Sequence, residues 1–347
     1  MKLRKCFAGV LLLFLSLSTL PLPVNATLSK EDIEKISQIY SHTKTPSEWV
    51  DIVLEYFEEG YYRHERAEEY EKQLKIVEEK KDRLKTIEES IELLKPLLLI
   101  SGGKHSMFMT TTLKHQVNNG AKYPALMVGD RSDRFENMPY YTFSNHLLTI
   151  VMPGYLDKTW TFKRISEYTD IFHKAFQQKD IKGILLDLRE NFGGEFRTML
   201  ISVLPLLPEG VAMSNINPKG EESSEFIVES LKKGISLEGK TYYVDHEKII
   251  DVPIAILTSN FTASSGEAVL MSLMGLDNVK SFGQETAGFN SYNTVYQYGG
   301  KYILLLTTHM MQARDGSIFY EEPIQPDVVT DQPMEEALKW LESEMNK

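Results

Sequence analysis

Between Asp251 and Asn290 the chain reads DVPIAILTSNFTASSGEAVLMSLMGLDNVKSFGQETAGFN, and no other stretch narrows the fold as much. Pro253 to Leu257 is a short apolar run with β-branched residues, and Thr262 to Gly266 is made of small residues only. A buried strand therefore gives way abruptly to a helix start. Ser264 and Ser265 fall at the junction, where unpaired backbone N–H groups and the helix dipole favour negative charge. Two readings compete. Ser264 to Glu267 fits S-x-x-E, the capping box that opens helices with no chemistry involved. A small-residue turn also lets a serine project at the end of a sheet, as in a nucleophile elbow, although G-x-S-x-G is absent. Spacing alone favours the cap; the rest of the chain shifts the balance.

Residues 1–26 have the form of a signal peptide. Lys2, Arg4 and Lys5 precede an apolar stretch from Phe7 to Leu20, and Val24-Asn25-Ala26 resembles a small-residue cleavage site. The stretch is short for a spanning helix and is followed by Pro21 and Pro23, so export with cleavage is expected, with no stable membrane insertion afterwards. Cys6 is the only cysteine. The processed chain then has no thiol, which excludes disulfides, thiolate catalysis and cysteine-ligated zinc. Removing Lys2, Arg4 and Lys5 takes the formal charge from −11 to −14. An acidic surface with no basic stripe argues against nucleic acid as a partner.

From Leu28 to Lys95 the pattern is helical and charged. Within Glu65 to Lys95, Tyr70, Leu74, Val77, Leu84, Ile87, Ile91 and Leu94 recur at steps of about three and four residues, as on one face of a helix. A helical hairpin ended by Pro96 is predicted, its charge runs forming a solvated face. Leu97 to Met109 is apolar, interrupted by Gly102-Gly103 and then His105-Ser106; Lys114 to Asn145 is polar and poorly periodic. An α/β pattern follows. Leu147 to Met152 reads as a strand, Thr159 to Gln178 as a helix and Gly183 to Leu188 as a buried strand. Gly193-Gly194 allows close backbone approach, and Phe196 to Leu204 reads as a helix. Glu209 to Glu247 is loop-rich, with room for a short hairpin. Asn293 to Tyr298 and Tyr302 to Thr308 form a hairpin about Gly299-Gly300, and a closing helix starts near Pro333 with Met334, Leu338 and Leu341 on one face.

Five stretches, in order, carry a family resemblance: ISGGKHS, GILLDLRENFGG, PIAILTSNFTASSGEAV, GQETAG, and YILLLTT followed by PIQPD. They resemble the tail-specific, or C-terminal processing, serine proteases, whose relatives include the tricorn protease core. The resemblance implies an α/β (α+β) fold: a crotonase-like core at 147–347, a β-sheet flanked by helices, preceded by an N-terminal helical subdomain at 27–106. Only a connecting segment at 107–146 lies between them, too short for the PDZ domain many relatives carry.

The resemblance also assigns roles. Ser264 becomes the nucleophile, Ser265 with Gly193 or Gly194 the oxyanion donors, and His105 the general base of the tricorn-like branch. Glu321 is favoured over Glu322 as the organising glutamate. The best-known branch uses a lysine base instead, and Phe289 stands at that place. The implied function is an exported serine peptidase, secreted or held at the cell envelope, acting on polypeptides or peptides through an acyl-enzyme, with no metal or other cofactor. Two alternatives are an inactive peptide-binding relative, motivated by the missing lysine, and acyl-coenzyme A chemistry, which export and acidic charge oppose.

Overall fold

Gly183 to Leu186 and Ile254 to Leu257 are apolar at every position, as suits strands covered on both faces. In a computed structural model they lie side by side in the middle of a sheet. The structure describes residues 44–110, 138–155, 162–237, 240–242, 251–298 and 302–347. The expected signal peptide, the start of the expected helical part, most of the expected 107–146 connector and the Gly299-Gly300 turn lie outside the described residues.

Among the described residues the helices are α1 (Pro46–Phe57), α2 (Ala67–Lys80), α3 (Ile87–Gly102), α4 (Phe162–Phe176), α5 (Phe196–Ser202), α6 (Val228–Leu231), α7 (Ser265–Leu273) and α8 (Pro333–Met345). The strands are β1 (Met107–Thr110), β2 (Tyr140–Ser144), β3 (Leu147–Val151), β4 (Gly183–Asp187), β5 (Val211–Ile216), β6 (Glu222–Ile227), β7 (Ile235–Leu237), β8 (Lys240–Tyr242), β9 (Ile254–Thr258), β10 (Val279–Gly283), β11 (Ser291–Tyr298), β12 (Tyr302–Gln312) and β13 (Val328–Val329). None of the helices is long and apolar enough to cross a membrane. The chain divides into two units, Met1–Thr111 with Asn293–Thr308, and Thr112–Tyr292 with His309–Lys347.

In the first unit the predicted stripe faces a core. Tyr70, Val77, Ile91 and Leu94 are buried, and Leu74, Leu84 and Ile87 are packed against them. It is not one helix, however. The chain breaks at a 3-10 turn, Lys81–Arg83, and restarts at a capping box: the Thr86 hydroxyl accepts from the Glu89 amide (3.1 Å) while the Glu89 carboxylate accepts from the Thr86 amide (3.3 Å). Nor does Pro96 end the helix, since α3 runs through it to Gly102. An interior proline costs about 3 kcal/mol, but it sits among Leu94, Leu97 and Leu98, all at most 2% exposed. Burying a leucine contributes roughly 1.5–3 kcal/mol, so the helix continues. Pro96→Ala should therefore raise stability by about 2 kcal/mol, the helical gain less the entropy returned to the unfolded chain; a urea midpoint unchanged or lowered would refute this.

The hairpin 293–308 belongs to this unit although sequence order groups it with the second half of the chain. Tyr296, Tyr298, Leu304 and Leu306 join the helical core, and Tyr298 meets Trp49 and Phe108 ring to ring. Strand β1 pairs antiparallel with residues 302–305, so the expected connector opens as a strand.

The second unit holds a six-stranded sheet in the order β13-β10-β9-β4-β3-β2. All neighbours are parallel except the edge strand β2, so the βαβ expectation stands. Ile184 and Leu186 face a core with Tyr168 and Phe172 of α4, Met199 of α5 and Val269 of α7. Leu185, Ala255 and Leu257 face the other way, onto Ala337 and Leu341 of α8. Met334 joins that face, but Leu338, expected beside it, is 39% exposed. The predicted hairpin within 209–247 is β5 paired with β6, and β5 also pairs with residues 310–312.

Candidate active site

Strands β4 and β9 run parallel with Asp187 opposite Leu257, so the segments that follow them emerge at the same edge of the sheet. Open α/β sheets place ligands at that carboxyl edge. Hydrogen bonds join the two segments. Thr262 Oγ1 donates to the Leu188 carbonyl (2.9 Å), Ser259 Oγ to that of Arg189 (2.6 Å), the Ala263 amide to that of Asn191 (2.9 Å) and Ser265 Oγ to that of Gly194 (2.8 Å). A Cβ on Gly193 would lie 2.7 Å from Ser264 Cβ, so this approach of turn to serine requires glycine.

Ser264 has φ +52° and ψ −119°, a backbone conformation that L-residues avoid. The capping and nucleophile readings turn out to be compatible, because the Ser264 amide donates to the Glu267 carboxylate (2.9 Å) at the start of α7. Of the candidate oxyanion donors, the Gly193 amide is already committed to Asn191 Oδ1 (3.0 Å). The Gly194 amide enters no hydrogen bond among the described residues. Ser265 is the first residue of α7, and its amide has no partner one turn back. The structure thus separates two glycines that sequence left equivalent.

Glu267 is fully buried. Besides Ser264, its carboxylate accepts from Thr286 Oγ1, the Gly288 amide (2.9 Å), the Phe289 amide (2.7 Å) and Asn290 Nδ2 (3.4 Å). Burial pushes its carboxyl up to about 7, against the pull of the bonds from Thr286, Phe289, Ser264 and Gly288. The Phe289 ring, where a lysine base would stand, is buried with Phe192 and Ala263. Lys280 lies opposite Ala255, toward the amino-terminal end of β9 and β10, whereas Gly283 and Thr258 mark the edge that carries Ser264. Three residues of strand put it about 10 Å away along the sheet.

Glu321 lies in the same unit and is 6% exposed, with φ +62° after a residue at +49°. Ser291 Oγ donates to its carboxylate (3.0 Å), and its amide donates to Asn290 Oδ1 (3.1 Å). Asn290 therefore joins Glu321 to Glu267. His105 belongs to the other unit, just after the Gly103 cap of α3, which has φ +74°. It is 4% exposed, and its carbonyl accepts from Asn293 Nδ2 (3.3 Å). The next residue, Ser106, donates to the Gly102 carbonyl and accepts from the Thr307 amide, both at 2.8 Å. Among the described residues no group of three or more His, Cys, Asp or Glu is placed to hold a metal ion.

The model of peptidase family S41 matches residues 154–330, half of the chain. The chain belongs to peptidase family S41. It is 28% identical over 310 residues to the nisin-resistance protein of Lactococcus lactis subsp. lactis, covering 88% of this chain and 90% of that protein. It is also 26% identical over 179 residues to the carboxy-terminal processing protease CtpA of Bacillus subtilis (strain 168), a match covering 51% of this chain and 34% of that protein. Among solved structures, a lipoprotein from Streptococcus agalactiae superposes with a TM-score of 0.70 at 28% identity, covering 86% of this chain and 97% of that one.

Within this S41 chain, sequence reading missed Asn191, Thr286, Asn290 and Ser291, which hold the site in shape. Thr286 carries a signal, since it lies in the GQETAG stretch. Asn191 carries one too, in GILLDLRENFGG, whereas Asn290 and Ser291 lie outside the five stretches and only their contacts identify them.

Proposed function

We propose that this S41 chain is a serine peptidase with Ser264 as its nucleophile. The observation that carries this reading is the strained Ser264 at the strand-to-helix turn, beside the amides of Gly194 and Ser265, which enter no hydrogen bond among the described residues. Ser264 Oγ gives its proton to a base and adds to the carbonyl carbon of the scissile peptide. The developing oxyanion accepts from the two amides. The base then protonates the leaving amine as the C–N bond breaks, and water repeats the sequence to free the acyl group. His105 takes the role of base and Glu321 that of organiser, on the resemblance of their stretches to the tricorn-like branch.

The substrate class is peptides. An acidic chain, with formal charge −11, favours cationic ones. Kinship with a nisin-resistance protein makes a nisin-type peptide the first substrate to try. The signal-peptide pattern and the lipoprotein relative support work at the cell envelope, outside the cytoplasm.

A fluorophosphonate probe should label the protein at Ser264, as read by mass spectrometry of the adduct. His105→Ala should slow labelling by several orders of magnitude without loss of folding. Labelling at wild-type rate in that variant would remove His105 from the mechanism. No labelling of the native protein would favour the second reading, a non-catalytic peptide binder, which the apolar Phe289 site motivates.

A further inference from the structure

We propose that Glu267 is a positioning residue: its ionised carboxylate holds Ser264 in the strained conformation, and protonation of this one group disarms the site. The inference rests on the reading of Ser264 as nucleophile and adds a control to it. Among the described residues every partner bonds the carboxylate as a donor. The Ser264 and Phe289 amides point to one oxygen; Thr286 Oγ1, the Gly288 amide and Asn290 Nδ2 point to the other. Such a shell suits an anion: four of the five groups are N–H donors that cannot accept, and only the Thr286 hydroxyl can turn to take a carboxyl hydrogen.

A neutral acid therefore loses at least one of these donations: either the Thr286 hydroxyl turns to accept, or an N–H is displaced. On one oxygen that donor is the amide of Ser264 itself or the Phe289 amide, and the Ser264 bond is the one that opposes the strain at φ +52°. On the other oxygen the loss loosens residues 286–290, through which Asn290 holds the Glu321 amide. The first loss loosens the serine turn, the second the loop whose Asn290 holds the Glu321 amide.

The groups facing Glu267 are uncharged: the amide of Ser264 on its own turn, and Thr286, Gly288, Phe289 and Asn290 from the following loop. Among the described residues no Lys, Arg or His pairs with it, and Glu321 is the titratable group joined to it through Asn290. With no cation to hold the charge, burial brings protonation to about pH 7. Because this carboxyl titrates higher in the folded chain than in the unfolded one, its contribution to stability is fully present below the unfolded value of 4.5 and is lost as pH rises through about 7. Activity and stability thus move in opposite directions across one titration.

The decisive experiment is the pH profile of fluorophosphonate acylation from pH 5 to 9 in the native chain and in Glu267→Gln, together with infrared detection of a protonated buried carboxyl. The native acid limb should carry two protonations, the base and Glu267, and a carboxyl band should grow as pH falls through 7. In Glu267→Gln the band should vanish, the limb should reduce to one protonation, and acylation should be slowed at all pH. The difference in thermal midpoint between native chain and variant should shift against the native chain as pH rises. An unchanged acid limb in the variant, or a carboxyl ionised down to pH 5, overturns the proposal. Should Glu267→Gln fail to fold, Thr286→Val removes one donor to the anion and should move both limb and band to higher pH; no movement, or movement downward, overturns it as well. If the native chain is never acylated, the catalytic reading falls, while the infrared titration still tests Glu267 by itself.

Discussion

Ser264→Ala is expected to reduce peptide hydrolysis by about 10⁴- to 10⁶-fold, since loss of a catalytic serine leaves only binding and oxyanion stabilisation. The more informative comparison is with Ser264→Gly, which should be equally inactive. Position 264 has φ +52°, and alanine there carries the same strain as serine, whereas glycine does not. Strain of about 1–2 kcal/mol is relieved, less roughly 0.5–1 kcal/mol of added unfolded-state entropy. The glycine variant should therefore be the more stable of the two by about 1 kcal/mol, a rise of roughly 1–2 °C in thermal midpoint for a chain of this length. Equal midpoints would mean that the turn stores no strain. Retained hydrolysis in either variant would dismiss Ser264 as nucleophile.

Gly194→Val should be the most damaging single change near the site. A Cβ there would fall 1.8 Å from the Tyr155 carbonyl oxygen, at a backbone φ of +129°. The neighbouring backbone cannot yield, because the Tyr155 amide donates to Gly193 O (2.9 Å) and the Tyr155 carbonyl accepts from the Glu195 amide (2.6 Å). A loss of about 4 kcal/mol or more is expected, at the extreme of single-substitution effects, with acylation abolished in whatever still folds. Gly210→Ala is the control. Its φ is +96° but the added Cβ meets nothing within 4 Å, so only strain of about 1 kcal/mol should appear. Urea midpoints of the two variants distinguish clash from strain, and similar losses would contradict the packing at Gly194.

The parts of the site legible in sequence are those whose cause is local. Apolar runs with turn residues placed β4 and β9 within one residue of their observed bounds and the start of α7 within three. S-x-x-E correctly announced the bond from the Ser264 amide to Glu267. What it could not announce is that the same carboxylate gathers donors 19 to 23 positions downstream. A cap and a buried hub look alike over four residues. Likewise Gly193 and Gly194 are indistinguishable until Asn191 Oδ1 takes one amide and not the other. Pro96 misled because the rule for proline concerns the helix alone, while Leu94, Leu97 and Leu98 gain their stability from the core around it.

The sequence by itself determined the α/β class of the second unit, the strand-to-helix turn that presents Ser264, and the family motifs in order, because period, turn chemistry and small residues act within a few positions of the chain. Tertiary structure alone decided that Glu267 is buried among five donors, that the Gly194 amide enters no hydrogen bond among the described residues, and that Tyr296, Tyr298, Leu304 and Leu306 join the core of the helical unit. Those outcomes depend on which distant groups share a low-dielectric interior. There each buried amide and carboxylate must find a partner in space, wherever along the chain that partner lies.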